Sequence, residues 1–360
     1  MILLQVIKMG IKNLHQLLRK HCPDAYKGVN LRDFAFEKVA VDASLFLYKY
    51  KAAAGPRWLS ALLNLIMCLR RNDVHCFFVF DGEPPPEKAK EKARRSAEKD
   101  KLRERAATLE EALKAYDRDG KVTKILTDVL SRRKKSPTKI KKLLSKSNTI
   151  DVFYLERYLE RLKNQIISLT PRDIELSQNL LRLLGVPFCT SPTEAETLCA
   201  FLSLEDKVKA VMSEDTDLLA YGCPELLHKV DTMKMTCISL QMNQVLLDLD
   251  LSMETFRDLC IMCGTDYNPN IPRVGPHGAF ALLKTHKTIE NITTKDVSCL
   301  NHERVRELFT KYPYDIPDVP FCRQPSWDEL GTFIFQHQCG ISLDRVRQDL
   351  GTRNITFRFQ

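Results

Sequence analysis

The chain has 360 residues, 44% of them apolar, with 55 Lys+Arg against 46 Asp+Glu and a formal net charge of +9. That length suits one large domain or two ordinary ones, and the apolar share is enough to bury a core; a wholly disordered chain, a collagen-like repeat and a coiled-coil rod are excluded. The excess charge is local: residues 87–150 carry 21 Lys+Arg and 10 Asp+Glu, a balance of +11, and the other 296 residues a balance of −2. A basic segment on a near-neutral body suits a polyanionic partner, and equally a solvated helical surface.

No apolar run reaches the ~20 residues needed to cross a bilayer, and the N-terminus has neither a basic start nor a small-residue cleavage site, so no secretory signal or membrane partner is expected. Twelve Cys without framework spacing fit free thiols in a reducing, intracellular compartment. The Cys260–Cys263 pair lies in an apolar helical run and reads as core packing rather than zinc ligation.

Along the chain, KVAVDAS ends a strand at Asp42, CFFVFDG ends one at Asp81, and KAVMSEDTD places Glu214, Asp215 and Asp217 beyond a third. Helical patterns at 59–71, 172–185 and 194–204 lie between them, which predicts an α/β fold with a largely parallel central sheet covered on both faces. LLHKVDT and KMTCISL read as an antiparallel hairpin at the sheet edge. The basic stretch reads as an inserted helical excursion, with Lys88, Lys92, Arg95 and Lys99 on one helix face. Ser191 reads as an N-cap with Pro192 at the first helical position, which puts Glu194 and Glu196 in a first helical turn.

Ligand sites in open α/β sheets form beyond the carboxyl ends of the strands, so Asp42, Asp81, Glu194, Glu196, Glu214, Asp215, Asp217 and Asp266 are candidates for one acidic site. Hard dications prefer such oxygen ligands, and two of them ~4 Å apart assist phosphodiester hydrolysis. Each acid has a plainer reading beside this one, as a strand-ending turn, a helix-dipole partner or an Asx turn. In IPRVGPHGAFALLK (271–284) a Gly-Pro turn opens an apolar helix, whose N-terminus suits either a phosphate or an ordinary cap.

In this order the blocks VAVDASLFLY, FVFDGEPPPEKAKEKARR, GVPFCTSPTEAE, SEDTDLLAYG and CGTDYNPNIPRVGP resemble the flap endonuclease/XPG family of structure-specific 5′ nucleases, from residue 9 to about 345. The length and enlarged arch are similar to the versions encoded by large DNA viruses. The resemblance implies a PIN-like nuclease core (9–86 and 160–360), a basic arch (87–159) and a helix–two-turn–helix (256–290). It implies two Mg²⁺ ions, with Mn²⁺ as a substitute, on Asp42, Asp81, Glu194, Glu196, Asp215, Asp217 and Asp266, and Lys88 and Arg95 at the scissile phosphate. Glu214 is not carried over. Tyr48 matches a base-stacking aromatic, though a core role suits it too; Gly10, Lys92, Lys99, Arg273, Gly275 and His277 are the remaining DNA-contact candidates, with K⁺ at the two-turn motif. The implied partner is branched DNA at replication or repair junctions, bound by a monomer, in the nucleus or at a viral replication site.

The sequence departs from the family in several places. The excursion between Arg95 and Glu194 is longer, which implies an arch of different geometry, and the stretch between Tyr48 and Asp81 is shorter, which implies a reduced or absent pocket for a one-nucleotide 3′ flap. Pro272-Arg273 replaces the usual Arg-Gly, which bears on the cation site, and the ITFRFQ end shows no sliding-clamp peptide. The family's Met-Gly-Ile start falls at Met9-Gly10-Ile11, so residues 1–8 are expected to be a non-native or disordered extension. Alternatives are a Holliday-junction or bubble nuclease of the same family, a Mg²⁺ phosphohydrolase with Asp215 as nucleophile, and a non-catalytic DNA-binding scaffold.

Overall fold

Short β-branched and aromatic runs flanked by amphipathic helices bury best as a parallel sheet between two helical layers, and the computed structural model shows this arrangement. It describes residues 10–132 and 150–351. The expected 1–8 extension and Met9 start, most of the basic run at 131–142 and the ITFRFQ end lie outside the described residues.

Among the described residues, seven strands form one sheet: β1 (Tyr26–Asn30), β2 (Lys38–Asp42), β3 (His75–Phe80), β4 (Phe188–Thr190), β5 (Ala210–Met212), β6 (Glu225–Asp231) and β7 (Thr236–Gln241), in the order β1-β7-β6-β5-β2-β3-β4. Neighbours from β6 to β4 pair in parallel, while β7 runs antiparallel to both β6 and β1. The β6–β7 hairpin is therefore not the sheet edge, as expected from sequence; β1 covers it.

Successive residues of β2 and β3 point to opposite faces. Ala40, Phe77 and Val79 join a core with helices Leu14–His21, Ala195–Leu204 and Met253–Cys263. Val39, Val41, Phe78 and Phe80 join the other, under helices Trp58–Arg71, Pro171–Leu183 and Trp327–Gln336. Cys260 and Cys263 are buried in the first core, as packing residues. The span Ala43–Arg71 is, among the described residues, long and apolar enough to cross a membrane, contrary to the expectation that no run qualifies. Its Leu45, Phe46, Leu62 and Ile66 are buried against the sheet, which accounts for its apolar character.

The chain divides into two compact units. One comprises the sheet and its helices, up to Ala89 and from Leu169 onward. The other, Lys90–Ser168, ends later than the 159 boundary expected for the arch, because Leu155, Leu159 and Leu162 of helix Val152–Gln165 share a small core with Leu109, Leu113 and Leu126.

Candidate active site

Four adjacent parallel strands deliver acids to one edge of the sheet. Asp42 is the last residue of β2 and caps the helix Ala43–Ala54, accepting a hydrogen bond from the Leu45 N–H at 3.2 Å. Its other oxygen accepts from the Ser213 hydroxyl at 3.0 Å. Asp81 follows β3 and accepts the Ala195 N–H at 2.8 Å, tying the strand end to the start of helix Ala195–Leu204. That helix begins three residues later than the sequence suggested, with Glu194 at the N-cap and Ser191 in the loop before it. Because Glu194 makes no side-chain cap bond, its carboxylate is available to the site. Beyond β5, Asp215 accepts the Asp217 N–H at 2.8 Å, and its own N–H donates to Ser213 at 3.1 Å. Asp266 lies in the loop after helix Met253–Cys263.

Six of these seven acids are buried, Asp42, Glu194, Glu196, Asp215, Asp217 and Asp266, while Asp81 is exposed. Burial, and then the negative charge of neighbouring carboxylates, pushes Asp42 and Asp217 well above the ordinary carboxylate range. Burial also raises Glu196 and Asp215, in each case against the opposing charge of Lys88.

Lys88 supplies the counter-charge. It sits in the 3₁₀ turn Pro86–Lys88, just before helix Ala89–Asp119 rather than on it, which corrects the expected four-residue helix face. Its Nζ forms an ion pair with Glu194 and lies 3.0 Å from Asp266 and 3.5 Å from Glu196. Burial works against its charge, but Glu196, Glu194 and Asp266 outweigh it, so the ammonium stays protonated throughout the working pH range. The turn is itself anchored by Arg304, whose Nε lies 2.7 Å from Glu87.

With the ammonium seated there, no three acidic, His or Cys side chains among the described residues surround a single ion position. The donor set nevertheless suits a hard dication: it is all oxygen, and both carboxylate oxygens of Asp217 are buried without a hydrogen-bond partner. Glu214 turns elsewhere, to Lys49 Nζ at 2.8 Å and the Lys229 N–H at 3.1 Å.

A further layer was not anticipated from sequence. The Tyr267 hydroxyl donates to the second oxygen of Glu194 at 2.9 Å, Tyr221 OH is 2.9 Å from Tyr267 OH, and Thr197 Oγ1 is 2.8 Å from Tyr221 OH. Tyr267 stands beside Asp266, which was the available signal; Tyr221 and Thr197 offered none.

Comparison with known proteins fits this geometry. The XPG N-terminal domain matches residues 9–102 and the XPG I-region residues 185–266. The Probable RAD2-like endonuclease 076L of Invertebrate iridescent virus 3 is 33% identical over 92% of this chain and 94% of its own length. Flap endonuclease 1 of Zea mays is 30% identical over 94% of this chain and 85% of its own. The chain belongs to the flap endonuclease/XPG family. The catalytic core of Rad2 in complex with DNA substrate shares its fold, with a TM-score of 0.63 at 18% identity, covering 95% of this chain and 99% of that one.

The other family positions distribute as follows. Gly10 adopts φ +78°, and a Cβ there would collide with the Asp215 carboxylate and the Thr216 hydroxyl and stand 2.7 Å from the Thr216 nitrogen. Tyr48 lies half-buried on helix Ala43–Ala54. Arg95 belongs to the helical unit, where Glu91 holds its Nε at 2.8 Å. Lys92 is exposed on that helix, and Lys99 Nζ donates to the Ile167 carbonyl at 3.2 Å. Arg273 and Gly275 are exposed before helix Pro276–His286, and His277 in its first turn stacks obliquely on His21 at 5.6 Å.

Proposed function

We propose that this protein is a Mg²⁺-dependent, structure-specific 5′ endonuclease that hydrolyses phosphodiester bonds of branched DNA. One observation carries the reading: six buried carboxylates at the carboxyl ends of adjacent parallel strands, three of them, Glu194, Glu196 and Asp266, paired with the half-buried Lys88. That concentration of negative charge suits a site completed by cations and by a phosphate that Lys88 can contact.

Asp42, Asp81, Glu194, Glu196, Asp215, Asp217 and Asp266 would hold two Mg²⁺ ions, or Mn²⁺ in their place. When bound, the ions supply positive charge that assists attack on the phosphodiester and departure of the leaving oxygen. Lys88, fixed in its charged state, offsets negative charge on the phosphate rather than acting as a general base. Arg95 serves the same phosphate, Tyr48 stacks on an unpaired base, and Gly10, whose lack of a side chain lets the backbone close against Asp215 and Thr216, meets the DNA strand there. Lys92 and Lys99 attract the single-stranded flap, while Arg273, Gly275 and His277 contact the duplex backbone, with K⁺ at that motif.

The test is cleavage of matched 5′-flap, nicked, gapped and four-way DNA by the purified chain with Mg²⁺. Asp215→Ala should bind the flap and fail to cut it; cleavage at the wild-type rate would remove Asp215 from the site. Replacing Lys88 and Arg95 by Ala should slow cleavage far more than it weakens binding.

A further inference from the structure

At the amino end of the sheet, away from the acidic edge, the segment before helix Trp327–Gln336 crosses over β3 as a strap. The Arg323 N–H donates to the Gly185 carbonyl at 2.7 Å and the Ser326 N–H to the Leu183 carbonyl at 2.8 Å. Both terminal nitrogens of Arg70 reach the Arg323 carbonyl at 3.3 Å. Phe321 packs edge-on against His75, with centroids 4.8 Å apart, and Lys38 Nζ lies 4.3 Å from the Phe321 ring centre.

These anchors set Cys322 on the start of β3. Its N–H donates to His75 Nδ1 at 3.3 Å and its S–H donates to the Cys76 carbonyl oxygen at 3.4 Å, which sets the two cysteines side by side. Both cysteines are free thiols; Cys76 is buried and Cys322 is partly open to solvent. This surrounding differs from that of the other buried cysteines. Burial pushes the thiols of Cys199, Cys223 and Cys260 up, and the neighbouring Cys322 and burial push Cys76 up likewise, so none of these four is the thiol that attacks a peroxide first. The Cys322 thiol shifts down instead, through the neighbouring Cys76 thiol and, against burial, through His75 and Arg70.

We propose that Cys322 and Cys76 are a thiol oxidation site, at which a hydroperoxide closes a disulfide between the strap and β3. The Cys322 thiolate attacks one peroxide oxygen, breaking the O–O bond and forming a sulfenic acid with release of hydroxide. The Cys76 thiol then attacks the sulfenic sulfur, forming the S–S bond and expelling water. Two thiols lose two electrons and two protons in all, and hydrogen peroxide becomes two waters; a dithiol reductant reverses the change by exchange.

Cys76 precedes Asp81 by five residues of extended chain, roughly 16 Å, so the bond forms well away from the carboxylates. Its effect falls on what the strap leads into: Leu330, Phe333 and Ile334, which pack in the core shared with helix Trp58–Arg71. The cross-link shuts a loop of more than two hundred residues, the case in which restricting the unfolded chain stabilises most.

The test is to treat the reduced full-length chain at neutral pH with near-stoichiometric hydrogen peroxide, block remaining thiols with N-ethylmaleimide and map peptides without reduction. A Cys76–Cys322 cross-linked peptide should form first, about tenfold faster than the exposed Cys299 is modified, and dithiothreitol should reverse it. The melting midpoint should rise by several degrees in the wild type and stay put in Cys322→Ser. In Cys76→Ser, Cys322 should halt at a sulfenic acid that dimedone traps. Modification of Cys299 ahead of Cys322, or oxidation of Cys322 to sulfinic acid while Cys76 stays reduced, would overturn the proposal.

Discussion

Glu194 is held on both oxygens, by the Lys88 ammonium on one and the Tyr267 hydroxyl on the other. The tyrosine fixes the plane of the carboxylate, and Tyr221 and Thr197 in turn fix the tyrosine. Removing such a supporting partner typically costs ~10–100-fold in metal affinity or activity. Tyr267→Phe should therefore lower cleavage by that order while circular dichroism stays native, and the Mg²⁺ concentration giving half-maximal rate should rise; an unchanged Mg²⁺ dependence would make the relay mere packing. A second residue-scale expectation concerns Arg273, which adopts φ +63°. Left-handed backbone at a residue with a Cβ costs roughly 1–2 kcal/mol, so Arg273→Gly should raise stability by about 1 kcal/mol in urea melts while weakening duplex binding. The seven acids were legible in the sequence because each sits just past an apolar run or within a loop block the family resemblance supplied. Tyr221 under Tyr267, and Cys76 under Cys322, were not, since these contacts join positions 46 and 246 residues apart in helices, loops and strands that carry no local mark of each other.

At the scale of elements, the fully apolar strands announced themselves and β1 did not. Its sequence, YKGVN, contains a glycine and has no buried position, with half-buried Tyr26 and Val29 separated by two exposed residues, so nothing separates it from a loop until β7 offers its edge. The start of helix Ala195–Leu204 was misplaced for a related reason: Ser191-Pro192 has the local form of a cap, and the tertiary bond from the Ala195 N–H to Asp81 decides otherwise. The middle of β6 carries a buried histidine with pH consequences. His228 stacks on His15 at 5.2 Å, with Tyr26 edge-on at 5.9 Å. Its charged form is opposed first by burial and then by His15, Lys229, Arg19 and Lys49, which lower its pKa from 6.5 to about 3. Between those values the unfolded chain takes up a proton that the folded chain refuses. Stability is thus fully present above 6.5 and is lost as pH falls towards 3, at up to about 1.4 kcal/mol per pH unit from this residue. His228→Leu should flatten the decline in urea-melt stability from pH 6.5 to 4.5 relative to wild type; parallel curves would mean that His228 already titrates normally.

On the scale of the whole molecule, composition points to a basic protein, yet the net charge of +9 combines a 64-residue segment at +11 with a remainder at −2. The two compact units follow that division, with acids and sheet in one and most of the lysine-rich helix Ala89–Asp119 in the other. Charge asymmetry made the insertion visible in sequence; its return point was not, because helix Val152–Gln165 has the amphipathic pattern of a core helix and only its packing on Leu109 and Leu113 assigns it to the insertion. The helix's cations are not equivalent. Arg94 is paired with Glu91 and Glu98, and Arg103 with Asp100, within the same helix. Lys90, Lys92 and Lys101 are exposed along it. A cation already neutralised by its neighbour displaces fewer counterions from DNA than one that is not, so salt dependence distinguishes the two sets. Binding to a 5′-flap, measured by anisotropy in an Asp215→Ala background across a salt series, should show a log–log slope about 2 units shallower when Lys90, Lys92 and Lys101 are changed to Gln, at ~0.7 for each single-strand phosphate left without its lysine. Changing Arg94 and Arg103 to Gln should move the slope less per residue removed. If both sets reduce the slope equally per charge, the intrahelical pairs open when DNA binds; if neither does, the helix contributes solubility and not capture of the strand.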